Sequence, residues 1–196
     1  MTTTTDAAEQ YVTDLYVTLC LGRGTCPAPR TVADVAMGNG AVMFGDARTA
    51  RLVDAKDGAR IVVGRAVPRG LAHWYVAHRL AHWLLREDGA DDETMRLMRS
   101  PIAAALLMPR DLVRSAPASV VVERVVTPLP AATLRVAELG APAAAFVVAG
   151  RYARVRGAGG AIPMSVRALE ALASDGVTPL RVRRTRVDNG VLLVAA

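Results

Sequence analysis

Residues 68–88, PRGLAHWYVAHRLAHWLLRED, form the stretch that decides the fold, because they predict one long helix with an aromatic and aliphatic face. Pro68 suits a helix start, and the predicted helix covers residues 69–86. Seven of its residues fall on one side, and we expect this stripe to face the core. They are Leu71, Trp74, Tyr75, His78, Ala81, His82 and Leu85. The rest of the chain is expected to pack around this helix.

All three histidines lie in this stretch, and two of them, His78 and His82, stand one helical turn apart. Imidazoles at this spacing can share one Zn²⁺, as they do on HExxH helices. The position after the first histidine holds Arg79 instead of the glutamate that activates water in such sites. A guanidinium stays protonated, so Arg79 cannot serve as a general base. Histidine pairs on apolar helix faces are also typical of metal-free cores, so the spacing alone leaves both interpretations open.

Composition limits the class of protein. The 196 residues are 52% hydrophobic, which suits a globular core, and no uninterrupted apolar run reaches the roughly 18 residues of a membrane span. MTTTTDAAEQ lacks the features of a signal peptide, so a cytoplasmic location is expected, with Cys20 and Cys26 as free thiols. The net charge of +6 comes almost entirely from arginine, which indicates coding bias more than a nucleic-acid partner.

Periodicity and turn signals predict the remaining elements. Helices are predicted at 6–21, capped by Asp6; at 31–37, capped by Thr31; and at 94–114, with a start or a kink at Ser100-Pro101. Three antiparallel strands are predicted at 41–44, 51–54 and 60–63, followed after residue 128 by a pair of short helices up to 156. A C-terminal hairpin is predicted at 177–196 around Asn189-Gly190. We expect an α+β fold, with one domain over 1–156 and a C-terminal extension over 157–196.

Two motifs in register resemble the ImmA/IrrE family of metallopeptidases. RIVVGRAVPRGLAHWYVAHRLAHWLL at 60–85 is similar to the family's strand followed by its HExxH helix, and MRSPIAAALLMPRDLV at 98–113 is similar to its EANxFAAxLLMP helix. The resemblance covers roughly residues 6–150. It implies a zincin-like fold, with a small antiparallel sheet packed on helices and a trailing helical pair. It also implies a cytoplasmic, zinc-dependent protein that acts on a repressor in gene regulation.

The family's site residues carry over only in part. His78 and His82 match the two zinc-binding histidines, Arg79 stands at the general-base position, and Met98 stands at the position of the third ligand, a glutamate. A thioether is a poor Zn²⁺ ligand beside imidazoles. The resemblance therefore implies a catalytically inactive member of the family. No cofactor is expected, and zinc is the metal that the two histidines could bind.

Three functions follow as hypotheses. The first is a regulatory or protein-interaction module whose partner is a transcriptional regulator, with no membrane association. The second is an active zinc metalloendopeptidase that recruits a replacement carboxylate, although Glu87, Asp91, Glu93 and His73 are all poorly spaced for that role. The third is a basic DNA-associated regulator. Its contacts to phosphate, or to an acidic partner, would come from a cluster of four arginines. The alternative is that these arginines only keep an edge strand solvated. They are Arg181, Arg183, Arg184 and Arg186.

Overall fold

The protein, represented by a computed structural model, forms two compact units, Met1–Asp111 and Leu112–Ala196. The structure describes residues 3–21 and 27–115, Arg135 and Leu139, and the backbone of four strands between residues 143 and 195. Cys20 is an exposed free thiol, and Cys26 lies outside the described residues.

The first unit is α+β, as predicted, with helices packed against a small sheet. Its elements are α1 (Thr4–Thr18), α2 (Pro29–Met37), β1 (Val42–Gly45), β2 (Ala50–Ala55), β3 (Gly58–Gly64), α3 (Arg69–Glu87) and α4 (Asp92–Leu107), with α5 (Arg110–Ser115) at the junction with the second unit. The central helix α3 packs on α2, on α4 and on strands β2 and β3. Within the first unit, the expected packing around this helix is seen for these elements, while α1 packs on α4.

The small sheet is mixed and not fully antiparallel. Strands β2 and β3 form the predicted hairpin, but β1 pairs in parallel with the other side of β3, which gives the order β1-β3-β2. The short link from β1 to β2 crosses the end of β3, where Gly64 donates its N–H to the Thr49 carbonyl (2.9 Å). A Cβ on Gly64 would collide with the Ala47 carbonyl, so glycine makes this crossing possible. The antiparallel prediction was wrong for β1 because the sequence signals only adjacent hairpins.

The core face of α3 also differs from the predicted stripe. Of the seven predicted residues only Ala81 and Leu85 are buried, while His78 and His82 are part-exposed. The buried set is centred on the neighbouring face and comprises Ala72, Val76, Ala77, Leu80, Ala81, Leu84 and Leu85. Alanine side chains allow neighbouring elements to approach closely, so the bulky aromatic and histidine residues are left on the flank.

Three helix starts correct the predicted caps. Thr3, and not Asp6, is the N-cap of α1, and Asp6 is the N3 partner in a reciprocal capping box. Helix α2 begins at Pro29, ahead of the predicted Thr31, because proline suits the first helical position. Helix α4 begins at Asp92 behind the cap Asp91, so Pro101 lies inside the helix and not at its start.

The second unit contains a four-stranded antiparallel sheet, built from β4 (Ala143–Val148), β5 (Arg151–Arg154), β6 (Val182–Val187) and β7 (Gly190–Ala195). The C-terminal hairpin is confirmed, although Gly190 is already in β7 and pairs with Val187. The helix predicted up to residue 156 is wrong, because that stretch forms β4 and β5. Pairing of β4 with β7 outweighs the helix propensity of its alanines.

The partner helix of that predicted pair, before residue 141, lies outside the described residues apart from Arg135 and Leu139. The Leu139 N–H donates to the Arg135 carbonyl (3.1 Å). The domain boundary predicted after residue 156 falls between strands of one sheet, since β4 precedes it and its partner β7 follows it.

Candidate functional site

His78 and His82 lie on the flank of α3, close to Arg99 of helix α4. Both rings are part-buried, and the Trp74 ring lies beside His78 with a centroid separation of 6.0 Å. The Nδ1 atom of His82 is buried and has no hydrogen-bond partner among the described residues. The pair is therefore neither fully in the core nor fully solvated.

Burial and nearby positive charge keep both imidazoles neutral. Burial first, and then the charges of Arg99, Arg79 and His82, lower the pKa of His78 to about 4. Burial, followed by Arg99, Arg79 and Arg86, also lowers the pKa of His82. Neutral imidazoles have the protonation state that a metal needs, but the same guanidinium charges oppose a cation.

Arg79 has a structural role where the resemblance expects a general base. Its Nε donates a hydrogen bond to the carbonyl of Ala50 (2.9 Å), a residue that is almost fully buried at the start of β2. This contact ties the central helix to an edge strand of the sheet. The sequence predicted that Arg79 could not accept a proton, and the structure shows what the side chain binds.

Arg99 is the site residue that sequence reasoning missed. It follows Met98, the position matched to the family's third ligand, and both residues are part-exposed on α4. The Nε of Arg99 is buried without a hydrogen-bond partner in the part of the chain that is described. Leaving a buried donor unsatisfied costs about 1–3 kcal/mol, and more when the group is charged. The sequence feature that could have identified Arg99 is its place directly after Met98, the position matched to the third ligand.

The carboxylates considered as replacement ligands are engaged elsewhere. Asp91 caps α4 by accepting from the Thr94 N–H (2.7 Å). Glu93 pairs with Arg96 (3.7 Å), and Glu87 pairs with Arg86 (3.4 Å). These three acidic residues thus provide a helix cap and pair with two arginines.

This donor set does not fit Zn²⁺. Across the described residues, no group of three or more histidine, cysteine or acidic side chains is placed to hold a metal ion. A guanidinium ~5 Å from a Zn²⁺ would repel it by roughly 7 kcal/mol even at an effective dielectric of ~20. Arg79 and Arg99 both act on the two rings, so the positive charge opposes a metal there.

A second feature lies between α2, β1 and the N-terminal half of α3. It is an open, largely apolar cavity of about 370 Å³ whose lining includes Val42, Phe44, Val76 and His73. Burial, together with the Arg69 charge, lowers the pKa of His73. His73 thus lines this cavity and is not part of the His78 and His82 pair.

Strand β1 adds apolar surface beside the cavity. Met43 is 47% exposed and Phe44 is 51% exposed. Within the described chain β1 pairs only with β3, so its outer edge is open. An open edge with exposed apolar side chains is a typical place for a protein partner to add.

The predicted arginine cluster falls on β6, an edge strand of the second sheet. Arg183, Arg184 and Arg186 lie in this strand, and Arg181 lies outside the described residues. The edge position is as expected for a charged strand.

No protein-family model matches this chain, and no curated protein matches it. Among solved structures the chain is similar to one described as a Mycobacterium tuberculosis transcriptional regulator, with a TM-score of 0.52 and 16% sequence identity. The match covers 98% of this chain and 75% of that one. At this identity the likeness shows a shared fold. In the described part of the chain, no helix is long and apolar enough to cross a membrane.

Proposed function

We propose that this protein is a non-catalytic relative of the ImmA/IrrE metallopeptidases that works as a regulatory, protein-binding module on a transcriptional regulator. The observation that carries the proposal is the position of Arg79. In place of a glutamate near water, the chain has a guanidinium hydrogen-bonded to the buried Ala50 carbonyl. A group in that position cannot take a proton from water, so the hydrolytic step has no base there.

The regulatory part of the proposal is supported by the shared fold with a protein described as a transcriptional regulator. The protein-binding part is supported by β1, an edge strand among the described residues, where the exposed Phe44 lines the cavity and Met43 is exposed on the opposite face. A cytoplasmic location belongs to the same proposal, because a transcriptional regulator is found there.

The test mixes the purified chain with the transcriptional regulator encoded nearest to its gene, with and without added zinc. We expect a stoichiometric complex and an intact regulator. Phe44→Glu should weaken the complex, because it places a charge in the apolar surface. Leu97→Glu is the matched control, since Leu97 is similarly exposed but lies on α4. Cleavage of the regulator that is lost on His78→Ala would contradict the proposal and favour an active zinc endopeptidase.

DNA association is the second candidate function, favoured by the arginines of β6 and by the net charge of +6. Binding through phosphate contacts should fall steeply as salt rises. A gel-shift titration that is salt-sensitive and weakened by Arg183→Ala with Arg184→Ala would favour this function. An unchanged shift in that variant would remove these arginines from consideration.

A further inference from the structure

Helices α3 and α4 bring four side chains together in a basic cluster, defined here as His78, Arg79, His82 and Arg99. Among the charged groups that act on the two imidazoles, Arg99 is the strongest and Arg79 follows. The permanent charges that act on these rings are all positive, because Arg86 is the third guanidinium that lowers the pKa of His82. The cluster therefore carries an excess of positive charge at a part-buried position.

The cluster also holds polar atoms that lack partners. The Arg99 Nε and the His82 Nδ1 are both buried, and neither has a hydrogen-bond partner within the described residues. An N–H in this situation has lost water without gaining an acceptor. Arg79 differs, because its Nε is satisfied by the Ala50 carbonyl. The unmet demand for an acceptor thus falls on Arg99, and the His82 Nδ1 beside it is unpartnered among the described residues.

The chemistry that meets this demand is an oxyanion. Arg99 is part-exposed although its Nε is buried, so the residue can be reached from solvent. A guanidinium offers parallel N–H groups that match the oxygens of a phosphate, and a neutral imidazole can donate from one nitrogen. Two guanidinium charges near one point favour a doubly charged anion over a singly charged one.

We propose that the basic cluster binds a small oxyanion of the phosphate class, held by the Arg99 guanidinium and the His82 ring. The inference rests on the proposed absence of zinc, because the same ring nitrogen cannot serve a cation and an oxyanion together. Both residues are part-exposed, so bound phosphate can accept from the Arg99 guanidinium and the His82 ring and offset the charge of Arg79 and Arg99. The residues that resemble a zinc site thereby bind an anion in place of a cation.

The probe is inorganic phosphate, titrated into the full chain at constant ionic strength with chloride as the balancing anion. The readouts are calorimetry and the histidine side-chain signals in NMR. We expect saturable binding, with the side-chain NMR signals of His78 and His82 shifting in step with the calorimetric binding curve. Arg99→Gln should weaken binding by about tenfold or more, as expected for loss of a charge-assisted contact.

Arg96→Gln is the matched control, because Arg96 lies one turn earlier on α4 with a side chain that is 72% exposed. It should bind phosphate as the unchanged chain does. Arg99→Lys keeps the charge without the planar fork and should weaken binding less than Arg99→Gln. Thermal melts establish that each variant is folded before it is scored.

Equal phosphate binding by Arg99→Gln and the unchanged chain would overturn the inference, and so would no saturable binding at millimolar phosphate. The same samples are titrated with zinc. Failure to bind either ion overturns only the oxyanion site. Stoichiometric zinc that displaces phosphate overturns both the site and the proposed function.

Discussion

The arginine at position 79 has two consequences for the structure and its chemistry. Its guanidinium cannot act as a base, and its hydrogen bond to Ala50 ties α3 to β2. Arg99 adds positive charge from the second helix and leaves a buried N–H without an acceptor among the described residues. At the scale of residues, these two arginines are the reason that the histidine pair does not suit a divalent cation.

The structural role of Arg79 predicts a measurable loss of stability. Arg79→Ala leaves the carbonyl of Ala50, which is 1% exposed, without this donor, and should lower the free energy of unfolding by about 1–3 kcal/mol. Urea denaturation measures the change. Arg51→Ala, at an exposed position on the same strand, is the control and should change stability little. Equal loss in both variants would show that the contact contributes nothing of its own.

The lowered pKa of His78 predicts a pH dependence of stability. Its folded-state pKa of about 4 lies below the unfolded value of 6.5, so the unfolded chain binds the proton more readily. Stability from this group is therefore complete above pH 6.5 and is lost as pH falls toward 4. Urea midpoints measured across that window should decrease with acidity. His78→Gln should make the slope shallower and leave the part that comes from His73 and His82, whose pKa values are also lowered. The Asp6 carboxyl, with its pKa lowered to about 2, acts at lower pH and does not mask the effect.

At the scale of elements, the N-terminal helix offers a clean test of local structure. Thr3→Ala removes the side chain that accepts the Asp6 N–H in the capping box, and should cost about 1 kcal/mol of stability. Thr4→Ala is the control, because Thr4 is exposed in the first turn and the cap remains. Chemical denaturation measures the free energy of unfolding of both variants. A Thr3→Ala chain as stable as the control would mean that another group satisfies the helix end.

Elements with strong local signals were predictable from the sequence. Helix α3 agrees with its predicted limits to within one residue, and both hairpins follow from their turn residues. The parallel pairing of β1 was not predictable, because it depends on a chain crossing that Gly64 permits. Strand β4 was taken for helix because its alanines favour helix until a neighbouring strand pairs with them.

The candidate site was predictable only in part, because packing between elements determines which side chains meet. Spacing along one helix placed His78 and His82 on the same side of α3, and chemistry excluded Arg79 as a base. The burial of α3 is set by its neighbours, so the predicted core stripe included the histidines although the structure leaves them on the flank. Arg99 comes from a different helix, and only packing of α3 against α4 brings it to the rings.

At the scale of the whole molecule, the two units contribute different surfaces. The first unit holds the basic cluster and, near the start of α3, the cavity with exposed apolar residues of β1. The sequence of strand β6 in the second unit includes Arg183, Arg184 and Arg186. A regulatory module that binds a protein partner is consistent with the first set of surfaces, and DNA association with the second.

The metal content of the purified full chain tests the central claim most directly. After growth with zinc in the medium, the account predicts far less than one zinc per chain, with no change on His78→Ala. One zinc per chain that disappears on His78→Ala would contradict the account, because it would show that the two imidazoles hold a metal despite Arg79 and Arg99.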